Sequence, residues 1–110
     1  MTEYQEFTGK TVEEALRIAR DNFGVTGLDD LDFVETHDCF TIAELIEYEA
    51  MGLTERGQGA RAALEGWTQK DGRLPVNPSG GLKAKGHPIG ATGVSMHVLS
   101  AMQLTGRAGN

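Results

Sequence analysis

Cysteine is nearly missing from this sequence: Cys39 is the single one in 110 residues. A lone cysteine excludes an internal disulfide and any metal framework built on several thiolates, and it suits a reducing compartment. Positive charge is short as well. Ten Lys and Arg stand against 16 Asp and Glu, for a formal net charge of −6. That balance argues against nucleic acid as a partner, because phosphate binding needs clustered cations. No apolar run approaches the length that crosses a bilayer, so no membrane role is expected. The acidic, polar start MTEYQEFTGK lacks the pattern of a secretory signal. What remains is an ordinary globular composition, 39% hydrophobic and 24% charged, which disfavours disorder and suffices for one small domain.

Glycine, by contrast, is plentiful. Of 15 glycines, Gly80, Gly81, Gly86, Gly90 and Gly93 fall within 74–103, with Pro78 and Pro88 among them and His87 between Gly86 and Pro88. After Thr92 the pattern changes: Val94, Val98, Ala101 and Met102 recur at i, i+4, i+7 and i+8, which predicts a helix with a buried apolar face. An extended piece (74–76) thus leads through a glycine-rich loop into a helix start. Glycine lets backbone approach a ligand closely, a helix start offers unpaired N–H groups, and an imidazole there can donate a hydrogen bond or move a proton.

The rest of the chain reads as a helix–strand alternation. An irregular lead-in covers 1–10. Thr11 and Glu14 have capping-box spacing, Val12, Ala15, Leu16, Ala19 and Phe23 form one apolar face, and Gly24 stands where a left-handed C-terminal residue is wanted. An acidic turn over 27–30 precedes a short strand, 31–36. Thr41 is expected to cap a second helix, with Glu44 three residues on, Ile42, Leu45 and Ile46 on its buried side and Gly52 closing it. A short helix is expected over 58–64, Trp67 is expected to pack, 74–77 reads as a second strand, and Gly106 as the last stop. Helix followed by strand is half of a β-α-β unit, so the fold class is α/β. Two short strands are few for such a sheet, which suggests that part of the fold lies elsewhere.

Two histidines stand out. His37 and His87 both follow β-like runs and sit in short loops before helices, so both are expected at one sheet edge, where ligands of open α/β sheets bind. His97, inside the last helix, reads as structural. His37, Asp38 and Cys39 are all potential metal ligands, but neighbours on extended backbone point in opposite directions and no HxxxH spacing follows, so no metal is expected. Cys39 precedes a helix that would lower its pKa; the plainer reading is a small buried hydrophobe. Lys83 and Lys85 either attract a phosphorylated ligand or are simply solvated. Asn77 and Ser79 read as turn formers.

These residues resemble a known family. Asn77-Pro78-Ser79-Gly80-Gly81 followed by Gly86-His87-Pro88-Ile89-Gly90-Ala91-Thr92-Gly93 is similar to the carboxyl-terminal half of a thiolase. His37-Asp38-Cys39-Phe40, where many thiolases have Asn-Glu-Ala-Phe, resembles the sterol-carrier-protein type. The likeness runs over about 11–106, and residues 1–110 would be a partial thiolase C-terminal domain, most of one half of an αβαβα sandwich. The resemblance implies an acyl-CoA acyltransferase acting by 3-oxoacyl-CoA thiolysis or Claisen condensation. Coenzyme A would be a substrate, with no tightly bound cofactor. It also implies that His87 lines the oxyanion hole and helps activate a nucleophilic cysteine, and that His37 replaces an asparagine holding a water there. Ser79, Gly80, Gly81 and Gly86 would bind the substrate around the thioester. Cys39 falls where relatives have alanine, so the family argues against it as nucleophile. The family's nucleophile segment has no counterpart in these residues, so this polypeptide alone is expected to be inactive. Partners implied are a second copy or the missing thiolase half, in the cytoplasm, or the peroxisome of a eukaryote. Two alternatives stand beside this reading: a non-catalytic assembly module, and a thiolase-like retro-aldolase on steroid CoA esters.

Overall fold

The structure, a computed structural model, describes residues 10–24 and 27–109, save the side chains of residues 12 and 23. The expected lead-in lies, apart from Lys10, outside the described residues, as do the side chains expected at the two ends of the first apolar face. Helix α1 spans Val12–Phe23. Thr11 Oγ1 accepts from the Glu14 N–H at 3.1 Å, and Glu14 Oε2 accepts in return from the Lys10 N–H at 2.7 Å. The box therefore closes one residue earlier than the usual reciprocal form, still satisfying two amide donors at the helix start. Ala19 is buried and Leu16 packs on the core. After Gly24, a 3₁₀ turn forms over Leu28–Asp30 where an acidic turn was expected.

Helix α2, Thr41–Ala50, begins differently from expectation. Thr41 is its first helical residue and not its cap. The preceding Phe40 is extended, makes no side-chain cap bond, and its carbonyl accepts from the Ala43 and Glu44 amides at 2.9 and 3.3 Å. Glu44 closes no capping box; its Oε1 accepts from the Tyr48 hydroxyl at 2.8 Å. The buried face is also rotated. Ile42 and Ile46, expected inside, are 63% and 56% exposed, while Tyr48 is buried and Leu45 packs against the core. Helix α3, Gly59–Leu64, falls within the expected short helix and packs on α2. Glu49 Oε1 accepts from the Gly59 amide across that contact at 2.9 Å, and hydrogen bonds from the Gly57 and Gly59 amides hold this carboxyl below its ordinary pKa.

Tyr48, Met51, Leu53, Ala62, Leu74 and Val76 form the core, with Trp67 packed against it and the Arg61 and Arg73 guanidinium groups over its ring at 5.2 and 5.9 Å. Leu74 is wholly enclosed. A side chain of that size contributes about 1.5–3 kcal/mol when fully buried.

The two expected strands reduce to a single parallel bridge, Val34 with Val76, the only β pairing found among the described residues. The Val34 N–H donates to the Pro75 carbonyl at 2.9 Å and the Asn77 N–H to the Val34 carbonyl at 2.7 Å. Parallel pairing needs a long crossover, and α2 and α3 supply it. Pairing stops there because Asn77 turns into positive φ, 50°, a conformation Asn tolerates. A short helix α4, Gly81–Lys85, which the sequence did not announce, interrupts the glycine-rich loop, and α5 follows over Thr92–Leu104. Gly106 ends it, its amide bonded to the Gln103 carbonyl at 3.1 Å.

The face of α5 expected to be buried is not. Val94 and Val98 are 64% and 52% exposed and Ala101 is exposed, whereas Thr92 and Ser100 are buried. The period was real, but no described element lies over it. None of the helices of the described residues is long and apolar enough to cross a membrane.

Candidate functional site

The site forms where 34–40 runs alongside 76–87, and it is built by continuing the Val34–Val76 pairing with side chains. Asn77 Oδ1 accepts from the Thr36 N–H at 2.8 Å. Glu35 accepts from Ser79 twice, from its N–H at 3.1 Å and its hydroxyl at 2.7 Å. Asp38 Oδ1 accepts from the Leu82 N–H at 2.9 Å. Residues 35, 36 and 38 of one segment are thus bonded across to 79, 77 and 82 of the other. Gly81 lies so close to the Asp38 carboxylate that a Cβ built there would overlap it, and its φ is +60°. Only glycine fits both demands. Asn77 and Ser79 bond within the turn as expected, the Asn77 carbonyl accepting from the Gly80 N–H at 2.8 Å and Ser79 Oγ from the Gly81 N–H at 3.4 Å, and they also tie two distant segments together.

These rungs bring His37 and His87 into contact. Their ring centroids are 4.8 Å apart with planes at 80°, an edge-to-face arrangement that aromatic quadrupoles favour. Both rings are exposed on their outer sides. Thr92 fixes the second ring. Its hydroxyl has one proton, which goes to the Pro88 carbonyl at 3.1 Å, and Oγ1 lies 3.3 Å from His87 Nδ1. With that proton on Pro88, the oxygen accepts from Nδ1–H, the tautomer of the neutral ring whose lone pair is on Nε2. That tautomer takes a proton at Nε2 and, once cationic, donates from it.

His87 also lines an open cleft of about 370 Å³ with Asp38, Cys39, Phe40, Thr41, Leu82 and Lys83. Cys39 is exposed, which corrects the reading of it as a buried hydrophobe: it follows the rung at Asp38 and precedes the exposed Phe40, outside the packed core. The two lysines part company. Lys83 faces the cleft, while Lys85 is turned inward, its Nζ 3.6 Å from Glu35 Oε2 and 3.3 Å from Ser79 Oγ. Among the glycines singled out, Gly80 and Gly86 bracket α4, and Gly81 is its buried first residue. No group of three or more His, Cys, Asp or Glu able to hold a metal ion occurs among the described residues. His97 sits exposed on α5, away from the pair in sequence.

Behind the site, Thr36 Oγ1 donates to Glu47 Oε2 at 2.6 Å. Burial pushes the Glu47 carboxyl above its ordinary pKa; the Thr36 hydrogen bond opposes this, and Glu44 and Asp38 add to the rise. Sequence reasoning missed Glu35, Lys85, Thr92 and Gln103 as supports of the histidine pair. The one available signal was spacing: Glu35 and His37 stand two apart on extended backbone and so share a face.

A pair of loop imidazoles at the end of a parallel pairing, beside a glycine-rich turn into a helix, is a site suited to proton transfer and to stabilising a carbonyl oxygen. The sequence comparisons give the family. The thiolase C-terminal domain-like family matches residues 1–110, and the chain belongs to it. An acetyl-CoA acetyltransferase of Methanothermobacter thermautotrophicus is 46% identical over 100 residues, 89% of this chain and 26% of that protein. Human sterol carrier protein 2 is 45% identical over 97 residues, 88% of this chain and 18% of that protein. A benzoylsuccinyl-CoA thiolase subunit of Thauera aromatica is 38% identical over 101 residues, 91% of this chain and 26% of that protein. The chain spans about a quarter or less of the length of these relatives.

Proposed function

We propose that this chain carries the oxyanion-hole half-site of a thiolase-type acyltransferase acting on acyl-CoA thioesters. The observation that carries the reading is the edge-to-face contact of His37 and His87 at 4.8 Å, close enough for a nitrogen of each ring to meet one small oxygen or one bound water. In this reading His87, with Thr92 holding Nδ1–H, takes the proton of an attacking thiol at Nε2 and then donates it toward the thioester oxygen as negative charge develops there. His37 supplies the second donor, directly or through a water. A preorganised donor of this kind is worth about 2.7–4 kcal/mol. The nucleophile comes from outside the described residues, because Cys39 is set beside the cleft with no base bonded to it in the described structure. Ser79, Gly80, Gly81 and Gly86 keep the loop backbone close to the thioester, and coenzyme A enters as substrate, not as a resident cofactor. Lys83 at the cleft suits its phosphates. Within this reading, the Val34–Val76 pairing is one edge of a layered αβαβα sandwich.

A second reading, an assembly module, is favoured by the exposed apolar residues Val94 and Val98 on α5 and Ile42 and Ile46 on α2. A second copy of the chain, or a partner bringing the other thiolase half, would cover them. The two readings are compatible, since a half-site needs a partner for the nucleophile.

The test is a replacement. The matching 100 residues of the Methanothermobacter acetyl-CoA acetyltransferase are exchanged for this chain, and cleavage of a 3-oxoacyl-CoA by coenzyme A is followed. The expected result is turnover that falls about 10²–10³-fold in His87→Ala, with no turnover by the 110-residue chain alone. Near-normal turnover of the His87→Ala hybrid would sink the reading.

A further inference from the structure

We infer that Glu35 is the positioning residue of the His37–His87 pair. The inference rests on the oxyanion-hole reading for its importance, though not for its geometry. The Glu35 side chain is 3% exposed, and a carboxylate that deeply enclosed persists only when its oxygens are hydrogen-bonded and its charge is paired. Both conditions are met, and by three different parts of the chain. Oε1 accepts from the Ser79 N–H at 3.1 Å and from Gln103 Nε2 at 3.0 Å. Oε2 accepts from the Ser79 hydroxyl at 2.7 Å and faces Lys85 Nζ at 3.6 Å, a lysine only 18% exposed.

These partners decide where the rings go. Glu35 and His37 alternate on one extended segment, so fixing the first fixes the face and height of the second. Lys85 precedes His87 by two residues, and Gln103 lies near the far end of α5, the helix whose first residue, Thr92, bonds the His87 ring. Both flanks of the segment carrying His87 are therefore anchored on one carboxylate. Glu35 ties the 34–40 segment to α5 through Gln103, whose Nε2 donates to Oε1 at 3.0 Å. The other rungs between the two segments, from Thr36 and Asp38, end on Asn77 and Leu82 and stop short of His87. Replacing Glu35 by Gln keeps the shape but puts an amide donor where Ser79 and Lys85 also donate, so Lys85 is released and the 85–87 segment moves away from His37.

The experiment is proton NMR of the 110-residue chain, without substrate. It follows the nuclear Overhauser effect between the ring protons of His37 and His87, assigned from His37→Gln and His87→Gln. The core signals of Tyr48 and Leu74 report whether the fold is kept. Glu35→Gln and Lys85→Met are expected to cut the ring-to-ring effect at least threefold with core signals unchanged. Glu65→Gln, which removes an equal charge from the exposed pair with Arg61, should leave it intact. A ring-to-ring effect preserved in both variants overturns the inference, as does its absence from the unsubstituted chain. If Glu35→Gln loses its core signals, Lys85→Met decides alone: loss of the effect supports the inference and its survival overturns it. Because no substrate is present, this outcome is separate from that of the replacement experiment.

Discussion

The α2–α3 corner and the histidine corner of this molecule are held together by different physics. The first is apolar: Tyr48, Met51, Leu53, Ala62 and Leu74 close on one another with Trp67 over the edge. The second has almost no apolar filling; Thr36, Glu35, Asp38, Asn77 and Ser79 bind it by hydrogen bonds between side chain and backbone. Burial is non-directional, so the first corner fixes that the chain folds without fixing where a given atom lies. Hydrogen bonds have narrow geometry, so the second corner fixes where two imidazoles sit at small cost in area. Stability and placement are separable here, and substitutions should separate them.

The largest effect belongs to the apolar corner. Leu74→Ala should destabilise the chain by about 2–5 kcal/mol, the range for a large side chain removed from an enclosed site, read as a lower denaturant midpoint. Gly81→Ala comes next and acts on the polar corner: it brings a Cβ onto the Asp38 carboxylate at φ +60°, and should loosen the loop and lower stability by about 1–3 kcal/mol. Gly86→Ala is the matched control. Its φ is +82° and its ψ 172°, with open space around it, so the substitution meets backbone strain alone, about 1–3 kcal/mol, and leaves Asp38 and Leu82 bonded, as amide exchange at Leu82 will show.

A third test uses alkali. Burial, before its contacts with Glu44 and Glu47, pushes the Tyr48 phenol up to about 12 from 10.0. Its folded pKa exceeds the unfolded one, so its contribution is fully present below pH 10 and lost as pH rises through about 12. Stability should fall over that window, and in Tyr48→Phe the fall should flatten, with a loss near neutral pH of about 1 kcal/mol for the bond to Glu44. The smallest effect is at Glu47, whose pKa is also raised. Its stabilising contribution is present below pH 4.5 and is lost above it as the carboxyl ionises. Glu47→Gln, which keeps an acceptor for Thr36, should therefore be slightly more stable than the parent at pH 7 and match it at pH 3.

What the sequence made legible follows the same division. Helix boundaries were readable where local chemistry writes them: Thr11 and Glu14 at the start of α1, Gly24 at its end, Thr92 and Gly106 around α5. The buried faces of α2 and α5 were not, because a period shows that an apolar face exists and not what covers it; Ile42, Ile46, Val94 and Val98 all lie on uncovered surface. The strands shrank to one bridge because Asn77 turns out of line after Val76 and side chains take over the pairing. His37 and His87 were recognisable from their places after β-like runs and from the thiolase-like motif around them. Glu35 was not, since a glutamate on a short extended segment reads as a solvated residue until Ser79, Lys85 and Gln103, at least 44 positions away, are seen around it.

The most direct measurement is a titration of the 110-residue chain with acetyl-CoA, following the ring protons of its three histidines by NMR, beside an equal titration with coenzyme A. His37 and His87 should shift together and saturably with acetyl-CoA, more than with coenzyme A, while His97 stays in place. Equal shifts from the two ligands, or no shift at either ring, would contradict the claim that this pair receives a thioester oxygen.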